Sequence, residues 1–182
     1  MGIDYHALLP EIILGATVLL VLAVDLIAKQ KYYAAIAGLI GLFAAFVPLL
    51  TLGMCDSLSF CDGSLPRELF NGSYVVDNYA IVLKGLFLVT AFVALLLSVA
   101  YVEADVYYEG EFYFLLLSAA LGAVLMASSR DFITMIVALE LVSGPGFLLA
   151  GWRKADEKSN EAALKFFIVG VAALSLLLFG VS

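Results

Sequence analysis

The sequence predicts an all-α polytopic membrane protein, and three observations carry that reading. The 182 residues are 64% hydrophobic and only 14% charged, where a soluble domain carries about 25% charged residues. Mean hydropathy is +1.10. Six apolar windows, near 8–28, 33–53, 79–101, 112–128, 132–150 and 161–182, approach or exceed the roughly 20 residues a helix needs to cross the hydrocarbon. Residues 1–182 therefore read as a single transmembrane domain with short connections. The net charge of −7 excludes nucleic acid as a partner, since that needs a basic footprint. The lipid bilayer is the partner the composition demands.

The first window is preceded by Asp4 and holds Glu11, with no Lys or Arg before it. A cleaved secretory signal has a basic start, so this window is expected to be a permanent span. Glu11 sits about a turn inside, within reach of headgroups. Asp25, Lys29 and Lys31 at the far end read as snorkelling side chains. His6 is the single histidine, which leaves no histidine-based metal or haem site to build.

The second window leads into the longest connection, 54–78. It carries Cys55 and Cys61 in Cys-Asp-Ser-Leu-Ser-Phe-Cys. In an oxidising compartment these can form a disulfide; two free thiols at a membrane edge is the other reading. Asn71-Gly72-Ser73 has the form of a glycosylation acceptor, a match that chance explains in so turn-rich a loop. The third window has Lys84 near its start. The side chain either reaches the interface or pairs with an acid on a neighbouring span, because an intramembrane lysine rarely stays unpaired. The fourth window offers small residues, Ser118, Ala119, Ala120, Gly122 and Ala123, that let helices approach closely.

The fifth window holds Glu140, about 12 Å from Phe132 and about 15 Å from Ala150 at 1.5 Å per residue. An acidic residue at the centre of a span costs roughly 2.5–3.5 kcal/mol on insertion scales. It is a functional candidate by position. Just beyond it, Gly144-Pro145-Gly146 predicts a helix kink: Pro145 has no N–H for the Leu141 carbonyl. The sixth window is expected to start from Ser159 or Asn160 as N-cap, with Glu161 in the first turn. That puts Lys165 about a turn and a half inside, nearer its end of the membrane than Glu140 by about 7–8 Å. An acid and a base on consecutive spans point to proton or ion handling.

Lys and Arg placement orients the chain. Lys29, Lys31, Arg153, Lys154 and Lys158 lie in the connections after the first and fifth windows. Arg67 and Arg130, with Lys84, lie on the other side. The N-terminus and the 54–78 loop are expected to be extracytoplasmic. The run 102–111, acidic and without a base, would then be cytoplasmic.

Two segments resemble a known family. Ser129-Arg130-Asp131-Phe132-Ile133-Thr134, running on to Ala138-Leu139-Glu140-Leu141-Val142-Ser143, resembles the fifth span of subunit N of proton-translocating NADH–quinone oxidoreductase, respiratory complex I. Asn160-Glu161-Ala162-Ala163-Leu164-Lys165-Phe166-Phe167 with the following Gly170 helix resembles its sixth span, and Asp77-Asn78-Tyr79 with Lys84 fits the third. The resemblance is weak over the first two spans and strong from about residue 74 onward.

It implies that Glu140 and Lys165 carry protons in a half-channel and a central hydrophilic axis. It implies no redox cofactor in this chain, with quinone bound elsewhere in the complex. The partners would be the other membrane-arm subunits, in a bacterial inner membrane. Two departures stand out. Gly144-Pro145-Gly146 is not the family's expected sequence after the glutamate. Family members also have about fourteen spans in two inverted repeats, so the chain reads as an incomplete antiporter-like subunit lacking the seventh-span lysine. Sodium/proton antiporter subunits share the architecture and remain an alternative, as does a non-transporting membrane scaffold with an inert, protonated Glu140.

Overall fold

A computed structural model describes residues 5–27, 32–55, 65–103 and 109–181. Six helices dominate: α1 (Tyr5–Ile27), α2 (Tyr32–Cys55), α3 (Asn78–Glu103), α4 (Glu109–Ser128), α5 (Phe132–Ala150) and α6 (Glu157–Val181). All six are long and apolar enough to cross a membrane. A helix satisfies its own backbone hydrogen bonds, which hydrocarbon cannot do.

The first four helices form a ring. α1 packs on α2, α2 on α3, α3 on α4, and α4 closes back on α1. Each turns a stripe inward at helical spacing: Leu14, Val18 and Val21 from α1; Leu42, Ala45 and Leu49 from α2; Leu88, Ala91 and Leu95 from α3; Leu117, Ala120 and Val124 from α4. Bulky side chains such as Val82, Leu86, Val89, Val93 and Leu97 point outward from α3. Alanines on the inward stripes, Ala45, Ala91 and Ala120, let the helices approach closely. α5 then lies against α4, and α6 against α5. Phe147 of α5 meets Phe166 and Phe167 of α6 edge-on, at 4.8 and 5.6 Å between centroids.

Aspartates start three of the helices. The Asp77 carboxylate accepts from the Ala80 N–H at 2.7 Å, and Asp131 accepts from Thr134. For α6 the cap is Asp156, whose carboxylate accepts from the Lys158 N–H at 3.0 Å. This corrects the expected start of the sixth span at Ser159, Asn160 or 161: the helix begins at Glu157. The Ser159 hydroxyl instead donates to the Ala150 carbonyl, tying α6 to the end of α5. The helix α5 runs uninterrupted through Gly144-Pro145-Gly146.

The 54–78 connection, expected to be plain loop, contains a small antiparallel hairpin. β1 (Arg67–Leu69) pairs with β2 (Tyr74–Val76), Leu69 opposite Tyr74. The turn places Phe70, Asn71 and Gly72 at φ of 51°, 60° and 88°, where a side chain is disfavoured and glycine is not. Beyond the hairpin, β2 also bridges to Ser129, and the Arg130 N–H donates to the Ser73 carbonyl at 2.9 Å. The hairpin is thereby fastened to the α4–α5 junction and packs Leu69, Tyr74 and Val76 against Ala7. The Cys55–Cys61 pairing, like Lys29 and Lys31, lies outside the described residues.

Candidate functional site

Ionisable side chains meet in the structure at two levels of burial. At the hairpin end of the bundle, Glu11 and Lys84 form an ion pair, Nζ to Oε1 at 2.6 Å, with exposures of 6% and 0%. Each lies about six residues inside its helix, about 9 Å deep at 1.5 Å per residue. Both sit on the inward stripes of their helices, Ala7-Glu11-Leu14-Val18 on α1 and Ala80-Lys84-Leu88-Ala91 on α3. The interfacial reading of both residues is therefore corrected. The alternative reading of Lys84, pairing with an acid on a neighbouring span, is the one the fold adopts.

The hairpin completes the cluster. The Tyr74 hydroxyl donates to Glu11 Oε1 at 2.7 Å and accepts from Lys84 Nζ at 3.2 Å. Nζ also lies 5.1 Å from the centre of the Tyr74 ring, within cation–π range. Burial, followed by the Glu11 carboxylate, pushes the Tyr74 phenol far above its usual range. The phenol stays protonated and serves as donor to the acid. Glu11 Oε2 has no partner among the described residues.

Glu140 and Lys165 sit elsewhere. Glu140 is exposed on α5, on the face that also carries Ile133, Val137 and Leu148, all exposed. Behind it the helix is pressed onto α4. A Cβ built on Gly122 would stand 2.8 Å from the Val142 nitrogen and 2.9 Å from the Ala138 carbonyl oxygen. Gly122 is thus what lets α5 lie this close at the level of Glu140. Lys165 pairs with Glu161 on its own helix at 2.6 Å, with exposures of 73% and 62%. With the helix starting at Glu157, Lys165 is about 12 Å from that end and Glu140 about 15 Å from Ala150. The offset shrinks from the expected 7–8 Å to about 3 Å. No described contact joins the two side chains.

At the opposite end, Lys154 pairs with Glu111 at 3.1 Å and the Arg153 guanidinium donates to the Tyr101 hydroxyl at 2.9 Å. Trp152 meets Phe112 edge-on at 5.3 Å. These contacts fasten the α5–α6 connection to α3 and α4.

Known proteins match this chain along its whole length. Residues 129–182 fit the family described as NADH:quinone oxidoreductase/Mrp antiporter, transmembrane. NADH-quinone oxidoreductase subunit N 2 of Streptomyces griseus is 38% identical over all of this chain and 34% of its own. Subunit N of Anoxybacillus flavithermus is 37% identical over all of this chain and 35% of its own. NAD(P)H-quinone oxidoreductase subunit 2 of Synechococcus elongatus is 39% identical over 96% of this chain and 32% of its own. Among solved structures, a chain of respiratory complex I from Thermus thermophilus with bound aureothin superposes with a TM-score of 0.72 at 30% identity, covering 94% of this chain and 35% of that one. The chain spans about a third of the length of these relatives.

Proposed function

We propose that this chain, whose sequence and fold match about a third of subunit N of NADH–quinone oxidoreductases, forms part of a proton-translocating membrane-arm subunit. It belongs in a bacterial inner membrane with its N-terminus extracytoplasmic, beside the other membrane-arm subunits. Glu140 and Lys165 are the proton-transfer residues. Redox chemistry and quinone binding take place elsewhere in the complex, and this chain holds no cofactor.

One observation carries the assignment of Glu140. An ionisable carboxylate projects from an otherwise apolar helix face that α1–α4 and α6 leave uncovered. Facing hydrocarbon, such a group is costly; facing another helix or a water-filled path, it is a relay. The relatives are about three times as long, which provides chain to cover that face. Lys165 lies at nearly the same depth on the next helix. The sodium/proton antiporter reading is not favoured: the named relatives are NADH- or NAD(P)H-quinone oxidoreductase subunits.

The test is Glu140→Gln in the full-length subunit within the assembled complex, reading proton uptake by vesicles against NADH oxidation. Removing the titratable group should sharply lower pumping, and Glu140→Asp should be milder. Full pumping by Glu140→Gln would overturn the role. Transport driven by an imposed pH gradient alone, with no quinone or NADH, would revive the antiporter.

A further inference from the structure

The Glu11–Tyr74–Lys84 cluster is absent from the function just proposed, and it is the most deeply buried set of charges described. A purely structural ion pair needs no path to water. This one lies close to a cavity. A cavity of about 360 Å³ lies between β2, α3 and the end of α4, lined by Val75, Leu83, Phe87, Met126, Ser128 and Arg130 among others. Its rim carries exposed Tyr79 and Arg130. Ser128, 2% exposed, lines this space and precedes Ser129, which bridges to Tyr74. The buried Ser128 Oγ makes no hydrogen bond among the described residues. Behind Tyr74 lie Lys84 Nζ and Glu11 Oε1, and then the unpartnered Glu11 Oε2.

We propose that Glu11 is a second proton-exchanging carboxylate of this chain, loaded from the β2–α3–α4 cavity through the Ser128 and Tyr74 hydroxyls. The ligand is the proton itself, delivered by water in the cavity. Hydronium in the cavity gives a proton to Ser128 Oγ and becomes water, and Ser128 passes its own proton on to Tyr74 Oη. Tyr74 passes its hydrogen to Glu11 Oε1. Each hydroxyl gains one proton and releases one, so the net change is a carboxylate plus hydronium becoming a carboxylic acid plus water. Loading Glu11 removes the negative charge opposite Lys84, leaving the ammonium beside the Tyr74 ring. The other charges in range are Asp77, which acts on Lys84 and lines the cavity, and Arg130 on its rim. The site therefore carries a built-in coupling between proton occupancy at Glu11 and charge balance at Lys84.

Infrared difference spectra of the assembled, full-length complex test this, read in the protonated-carboxyl region across the pH range in which the complex stays intact. Glu11→Gln should remove a titrating band distinct from the one removed by Glu140→Gln, so the two readings fail separately. Tyr74→Phe keeps the ring over Lys84 and the ion pair while removing the hydroxyl relay. It should leave the Glu11 band present but slow its exchange in heavy water by about two orders of magnitude, the lower range for a positioned proton-transfer group. If Glu11→Gln fails to assemble, the Glu11→Gln/Lys84→Met pair removes both charges together and gives the same band assignment. No missing band in either variant, or unslowed exchange in Tyr74→Phe, overturns the proposal.

Discussion

The α1–α4 ring and the α5–α6 arm are built from similar apolar helices, yet they treat charge in opposite ways. Within the ring, 28–44% of each candidate span is buried; in α5 the share is 6% and in α6 it is 0%. The ring buries Glu11 and Lys84 and gives each a partner from another element. On the arm, Glu140 stands on an open face, and Lys165 among the described residues pairs only with Glu161 of its own helix. A buried pair is held by three elements that cannot move apart without exposing a charge. An open charge is held by one helix and depends on whatever covers it. The first arrangement suits a fixed site, the second a site that another surface can reach.

The largest expected effect breaks the buried half of that comparison. Lys84→Met leaves the Glu11 carboxylate in the packed bundle with only the Tyr74 hydroxyl. Removing one partner of a buried pair costs about 3–5 kcal/mol, while replacing both by neutral groups of similar volume is often close to neutral. Thermal unfolding of the full-length protein should therefore show a large loss for Lys84→Met and a recovery in the Glu11→Gln/Lys84→Met double variant. A single variant as stable as the parent would mean that the pair does not hold the bundle.

A smaller effect acts at the junction of the two regions. Gly122→Ala places a methyl against α5 backbone, which cannot yield as a side-chain tip does. Overpacking of this kind costs about 1–3 kcal/mol, and it moves the segment that carries Glu140. Gly85→Ala on α3 is the control, because its Cβ would meet only Leu49 at an ordinary 3.6 Å. Alanine gains about 0.5–1 kcal/mol over glycine within a helix. Unfolding temperatures should fall for the first and hold or rise for the second. Equal behaviour would mean that α5 is free to shift on α4.

Much of this was open to a reader of the sequence. Composition and the apolar windows give six spanning helices, and the depth of Glu140 follows from counting residues. Glu11 and Lys84 were legible only through helical spacing: each lies in register with an inward stripe, Ala7-Glu11-Leu14-Val18 and Ala80-Lys84-Leu88-Ala91. Distance from the helix start alone points to the interface instead, because it ignores which face a residue occupies. The hairpin was not legible. Its strands are three residues long, and what holds Tyr74 over the cluster is a bridge to Ser129, more than fifty residues away. The cap of α6 was misread because Ser159 and Asn160 compete with Asp156 as cap residues. Only the tertiary bond from Ser159 to Ala150 removes the serine from that role.

The smallest expected effect lies on the arm. Glu161→Gln removes the acid that pairs with Lys165 one turn away. Exposed pairs at this spacing contribute about 0.3–0.5 kcal/mol, since both side chains keep most of their freedom and their solvation. Stability of the full-length protein should change by about that much, roughly a tenth of the effect of Lys84→Met. The proton-transfer role proposed for Lys165 gives this substitution a second readout, because on that proposal an ammonium released from its acid is free to turn toward Glu140. Unfolding temperature and pumping should therefore separate: the first nearly unchanged, the second altered. A stability loss matching that of Lys84→Met would mean that the Glu161–Lys165 pair is enclosed in the full-length protein. The contrast between a closed ring and an open arm would then belong to these six helices alone.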